Sequence, residues 1–223
     1  MEKITSQEFQ RLIRSCQVLE KDGHGEKVLR RHDGIIIKIF RRKRLLSSAL
    51  LYPYARRFVH NVDKLRALSV PTMQVVKTGH CKNPQRDLVW YQPVPGQTLR
   101  ACLQGETSPQ LISALGTFVG KLHQKGILFR SLHFGNIIVG ENGGFGLIDV
   151  ADMRFSSRSL ALSARQRNFF HMTRYHEDRV ALNDHMEKFV QSYLAATTMP
   201  IRDLEQLSAW LLEASWIRRE EPS

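Results

Sequence analysis

Cysteine is scarce in this chain of 223 residues: Cys16, Cys81 and Cys102 are scattered, and no two form a CxxC pair. That spacing argues against a zinc ribbon and a disulfide framework, and it suits a reducing compartment. Long apolar runs are missing as well. No stretch approaches 18 apolar residues, so no membrane-spanning helix is predicted. The start, MEKITSQEFQ, is polar and lacks the apolar core of a signal peptide. A cytoplasmic location is therefore expected. Repeats and low-complexity tracts are absent, and an apolar fraction of 42% is ordinary for a folded protein.

Acidic residues are in deficit. Lys and Arg number 33 against 21 Asp and Glu, for a formal net charge of +12. Residues 1–92 hold 19 of the basic and 8 of the acidic residues, which places +11 in that part. A field of that size attracts nucleic acid, nucleotide phosphates, anionic lipid or a phosphorylated glycan. It also fits a plain basic surface. No nucleic-acid-reading motif accompanies the charge, so nucleic acid is not an expected partner.

What is present reads as a small sheet followed by helices. Residues 5–16 form an amphipathic helix with Ser6 as its expected N-cap and Phe9, Leu12 and Ile13 as its apolar stripe. Three strands are expected at 17–20, 27–32 and 34–40, joined by DGHG and HDG turns. A helix follows over 54–68, then extended pieces at MQVVKTG and LVWYQPV. Ser108 and Pro109 suit the N-cap and first turn of a long helix over 109–125, ended by Gly126. Leu111, Leu115, Phe118 and Leu122 are spaced for one face of it. The strands GNIIVG and GFGLIDV come next. From about Leu160 the chain reads as helical, with Phe169, Phe170, Trp210 and Trp216 as core. The expected fold class is α+β, with a small antiparallel-sheet lobe over 1–93 and a mainly helical lobe over 94–223.

Three residues carry the chemistry. Lys38 is the one charge in the apolar run GIIIKIF, and a buried lone ammonium is costly unless an anion answers it. A lysine snorkelling from an edge strand is the other reading. Asn136 lies in LHFGNIIV and Asp149 in GLIDVADM, directly after an apolar strand, where an aspartate also serves as a simple turn former. Their order, with a long helix and then a hairpin between them, is that of a phosphate-binding lysine followed by two metal ligands.

The segment LGTFVGKLHQKGILFRSLHFGNIIVGENGGFGLIDVADM resembles the catalytic segment of the protein-kinase-like superfamily. It is most similar to small bacterial branches: aminoglycoside phosphotransferases, Kdo kinases, lipopolysaccharide core heptose kinases and toluene-tolerance-type proteins. The resemblance is good over about 113–153 and looser over 18–190. It implies a bilobal kinase-like fold and ATP with Mg²⁺ as cofactors. Lys38 would hold phosphates, and Asn136 and Asp149 would hold metal. WYQPVPGQTL resembles the interlobe hinge, where the Gln92 carbonyl and the Val94 amide would face adenine. DGHGEK, with Gly23 and Gly25, stands where the glycine-rich loop belongs. The acceptor implied is a lipopolysaccharide core or related envelope sugar.

Three departures from the pattern stand out. The loop FRSLHFGN puts Ser131 at the position of the catalytic aspartate. Serine has no anionic oxygen at neutral pH and cannot act as a carboxylate base. The helix partner of Lys38 should be a glutamate, and Asn61 stands there; Asp63, two residues on, points to another side of the helix. The glycine loop is short of glycine. A pseudokinase with a regulatory or scaffolding role is thus the alternative to a phosphotransferase. His133 and Asp152 are the candidate neighbours for replacing the base, against structural roles for both. Lastly, Arg41-Arg42-Lys43-Arg44 beside apolar residues suits either an anionic glycolipid or membrane surface or a solvated loop.

Overall fold

The computed structural model describes residues 1–41, 53–104, 108–213 and 216–217. Of the basic run, all but Arg41 falls outside them. Two compact units divide the chain, Met1–Val94 and Pro95–Ser223.

The first unit runs β1 (Glu2–Ile4), α1 (Ser6–Ser15), β2 (Gln17–Asp22), β3 (Gly25–Arg30), β4 (Ile36–Arg41), α2 (Tyr54–Ala67), β5 (Gln74–Cys81) and β6 (Arg86–Gln92). Its six strands lie in the order β1-β5-β6-β4-β3-β2. All neighbours are antiparallel except β1, which joins β5 in parallel. The sheet is thus mixed at one edge rather than wholly antiparallel. Three residues before α1 are too few to show an alternating pattern, so β1 left no signal in the sequence.

Thr5, not Ser6, caps α1. Its hydroxyl accepts from Glu8 N at 3.2 Å while Thr5 N donates to Glu8 Oε2 at 2.7 Å. This reciprocal capping box needs Glu three residues on, which Thr5 has and Ser6 lacks.

β4 has two different faces because successive side chains alternate. Ile37 and Ile39 pair with Trp90 and Leu88 of β6 and pack with Leu29 under Phe9 of α1. Lys38 and Phe40 point the other way, towards α2. There Phe58 meets Phe40 and Tyr91, each with ring centroids 5.6 Å apart.

In the second unit come β7 (Gln97–Thr98), α3 (Leu99–Cys102), α4 (Pro109–Gln124), β8 (Ile127–Phe129), a 3₁₀ turn at Phe134–Asn136, β9 (Ile137–Val139), β10 (Phe145–Leu147) and β11 (Met153–Phe155). Helices α5 (Leu162–Met172), α6 (His176–Asn183), α7 (Met186–Ala195) and α8 (Ile201–Leu212) complete it. Strands β10, β9 and β7 make one small sheet, and β8 pairs with β11 in another.

Ser108 caps α4 through Leu111 N, with Pro109 in the first turn. Gly126 ends it at φ +71, where a Cβ would meet the Ser156 and Arg158 carbonyls at 2.4 Å. The buried face of α4 is rotated from the expected stripe. Ile112, Leu115, Gly116, Val119, Gly120 and Leu122 are buried, whereas Leu111 and Phe118 are only half-buried. Gly116 lets α4 meet the backbone of α7, since a Cβ there would lie 2.4 Å from Phe189 O. Close helix approach at small residues sets the face, and apolar spacing alone cannot show it. Phe118 instead meets Phe145 of the hairpin, with centroids 5.2 Å apart.

The core of this unit gathers Phe169, Phe189, Tyr193 and Trp216, all fully buried. Phe170 and Trp210 are half-buried at its margin, with the Trp210 ring 6.0 Å from that of Phe169.

Candidate functional site

In the first unit the β2–β3 turn is shaped by its own residues. His24 N donates to Asp22 Oδ1 at 2.8 Å, an Asx turn, and Gly25 takes φ +110, open to glycine at little cost. A concavity of about 200 Å³ is lined by Asp22, Gly25, Lys27, Lys38, Arg41 and Arg86, among others. Gly25 and Lys38 thus share one hollow, while Gly23 does not line it. The half-buried Lys38 Nζ lies 5.9 Å from the ring centroids of both Phe40 and Phe58.

The helix position expected to face Lys38 is resolved on α2. Asn61 is buried one turn beyond Phe58. Asp63 is exposed and lines a separate concavity with Ala55, Val59 and His60. Gln92 is the last residue of β6, and Val94 is the last of the unit.

In the second unit, β8 leads into the loop that carries Ser131. Asn136 Nδ2 donates to the Ser131 carbonyl at 2.9 Å, and His133 N donates to the same oxygen at 3.0 Å. Asn136 O in turn accepts from Ile148 N at 3.0 Å. That bond joins the loop to the residue just before Asp149. Asp149 is exposed and has φ +54. Aspartate is one of the few non-glycine residues found in the left-handed region, where most side chains are disfavoured. Backbone of that kind gathers at functional sites. Among the described residues no cluster of three or more His, Cys, Asp or Glu is placed to hold a metal ion. His171 and His176, five apart, form no such group.

Two anchors of this loop escaped the sequence. Fully buried Asp178 of α6 accepts from Arg100 Nε at 2.8 Å and Nη2 at 2.9 Å, a bidentate pair. It also accepts from Phe134 N at 3.0 Å. Arg100 stacks on Tyr175, 4.7 Å from guanidinium to ring centroid, and Tyr175 meets His133 edge-on at 4.9 Å. Burial, above all, holds His133 below the usual histidine range. An acid within HEDRV, 78 residues from its arginine, carries no local signal of that pairing.

The second anchor is a buried polar network. His123 Nδ1 contacts Tyr193 Oη at 2.8 Å, and Nε2 contacts Asn168 Oδ1 at 3.2 Å. Asn168 Nδ2 donates to Phe129 O at 2.7 Å, which pins the end of β8. Arg165, also fully buried, donates to Leu160 O and Tyr193 Oη at 2.8 Å each. Burial first, and then the Arg165 charge, hold the His123 pKa down to about 3.

Unfolding exposes His123, which then takes up a proton near 6.5 that the folded chain refuses. Stability therefore falls as the pH drops below about 6.5, at up to about 1.4 kcal/mol per pH unit, until the folded-state value is reached. Burial also lowers the pKa of His133 and His171, which adds to the slope in the same direction. The urea midpoint is expected to fall between pH 7 and pH 5. His123→Gln should flatten that dependence, and an unchanged slope in the variant would rule His123 out as its main source.

Among the described residues no helix is long and apolar enough to cross a membrane. No curated protein gives a significant match to the chain. A family model does match, over residues 3–193: the lipopolysaccharide kinase (Kdo/WaaP) family. The match takes in both units, the Lys38 strand and the whole of the Ser131–Asp149 segment. The chain belongs to the lipopolysaccharide kinase (Kdo/WaaP) family.

Proposed function

We propose that this protein binds ATP with Mg²⁺ and transfers phosphate to a hydroxyl of a lipopolysaccharide core or related envelope sugar. It would act in the cytoplasm, at the inner-membrane face. The observation that carries the reading is the bond from Asn136 Nδ2 to the Ser131 carbonyl. It spends the amide nitrogen inside the loop and leaves the amide oxygen to serve a cation. Asp149 supplies an exposed carboxylate. One carboxylate and one amide oxygen fit Mg²⁺, which is held by few protein groups and completed by water and substrate phosphates. When bound, the ion neutralises charge on the transferring phosphoryl group.

Lys38 binds phosphate oxygens in this reading, beside the Gly25 turn that lines the same hollow. The Gln92 carbonyl and the Val94 amide read the adenine edge. Ser131 presents a hydroxyl towards the acceptor but cannot take its proton as a carboxylate would.

Ser131 also supports a second reading, a pseudokinase that binds nucleotide to regulate or scaffold a partner. Calorimetric titration with ATP, with and without Mg²⁺, tests what both share. Binding is expected to depend on Mg²⁺ and to weaken at least tenfold in Lys38→Met and Asp149→Ala. Equal affinity with and without the metal would remove the metal-site assignment. Absence of any binding would remove both readings.

A further inference from the structure

We propose that the second unit carries an anion-binding subsite beside Ser131, built from Arg130, Arg167, His171 and Arg174, which takes a phosphate or carboxylate borne by the acceptor sugar. The inference rests on the phosphotransferase reading for its purpose, and on the following observations for its location.

Between Asp152 and Glu177 the chain holds five arginines and no acid. One of them, Arg165, is consumed in the buried network. Two others, Arg167 and Arg174, are exposed and flank His171, with Arg167 four residues before it on α5 and Arg174 three residues after it. Positions four apart on a helix are neighbours, so Arg167 and His171 share one face of α5, and Arg174 lies two residues past its end.

That face is fixed against the loop. Asn168, one turn before His171, exchanges hydrogen bonds with both backbone groups of Phe129. The next residue is Arg130 and the one after it Ser131. The charges of Arg130, Arg174, Asp152 and Arg167 all bear on His171. Arg174 bears on His133 of the loop as well.

Two features mark a basic group with few partners of its own. His171 Nε2 is buried and has no hydrogen-bond partner. Asp152 is the one carboxylate in the group, at 3.4 Å from Arg130 Nη1, a long contact between two exposed side chains. Among the described residues no carboxylate lies within ion-pair distance of Arg167 or Arg174. Three guanidinium groups against one carboxylate leave an excess of about two positive charges beside the loop. Guanidinium forks suit oxyanions in particular, because their N–H groups match phosphate and carboxylate oxygens in pairs.

The subsite is tested on the full chain with three probes: glucose 6-phosphate, glucuronate and glucose, each titrated by calorimetry. At least one of the two anions is expected to bind, glucose is not, and the stronger anion identifies the group as phosphate or carboxylate. Arg174→Gln and Arg167→Gln should each weaken anion binding roughly tenfold. Arg202→Gln, which removes an exposed charge from α8, should leave it unchanged. The proposal is overturned if neither anion binds, if glucose binds as well as the anions, or if Arg202→Gln and Arg174→Gln have equal effects. ATP·Mg²⁺ titrated into the same samples separates the two proposals. Anion binding without ATP binding overturns the phosphotransferase reading and leaves the anion site standing. ATP binding without anion binding does the reverse.

Discussion

Ser131→Asp is expected to raise ATP turnover by roughly 100-fold, near the lower end of what a positioned general base contributes. The lower end applies because phosphoryl transfer passes through a loose transition state that leans on positioning more than on proton removal. The loop should accept the change. Ser131 is half-buried, and the bonds that shape the loop from Asn136 and His133 go to its backbone carbonyl, which the substitution leaves in place. Turnover of the wild type, Ser131→Asp, and Ser131→Asp combined with Asp149→Ala would be compared in the presence of Mg²⁺. A gain that vanishes in the double variant marks a site complete but for its base. No gain would count against a phosphotransferase whose chemistry is limited at Ser131, and would favour the regulatory reading.

The largest loss of stability is expected at Asp178. Asp178→Ala removes three hydrogen bonds at once: the bidentate pair to Arg100 and the bond from Phe134 N. Breaking one side of a buried ion pair costs about 3–5 kcal/mol, because the remaining charge stays out of water. Arg100 retains some solvent and a 3.3 Å contact to the exposed Glu177, so the lower figure applies. For a chain of this size that corresponds to a fall in Tm of about 6–12 °C. Asp178→Asn keeps an acceptor for Phe134 N and should lose less. Thermal unfolding followed by circular dichroism decides it: an Asp178→Asn protein as stable as the wild type would mean that charge pairing to Arg100 contributes nothing.

The local parts of this molecule were legible because their causes are local. Ser108 and Pro109 start α4, Gly126 stops it, and the run GIIIKIF reads as a strand whichever fold surrounds it. The loop residues Ser131, Asn136 and Asp149 stood out by their order along the chain. What escaped is what distance in sequence conceals. Arg100 and Asp178 meet across 78 residues, and nothing in TLRAC or HEDRV announces it. His123 lies inside the segment that carries the resemblance, but its neutral state depends on burial beside Arg165 and Asn168. The rotated face of α4 follows from a backbone contact with α7 that Gly116 permits, and apolar spacing counts side chains only. Thr5 was the avoidable miss, since Glu8 three residues on was in plain view.

The alternation along β4 limits how this segment can change over time. Ile37 and Ile39 face Phe9, while Lys38 and Phe40 face α2. Substitution at one of these positions disturbs one side of the sheet. Insertion or deletion of a single residue exchanges the two sides along the rest of the strand. Lys38 would then lie under α1 among apolar side chains, and an isoleucine would take its place in the hollow beside Gly25. The strand can therefore vary in composition but not in length. The tip of the β2–β3 turn has more freedom: a side chain added at Gly23 meets nothing within 4 Å, and only Gly25, at φ +110, is held to glycine. Length variation in this part of the chain belongs at that turn, and the phase of β4 is what relatives have to keep.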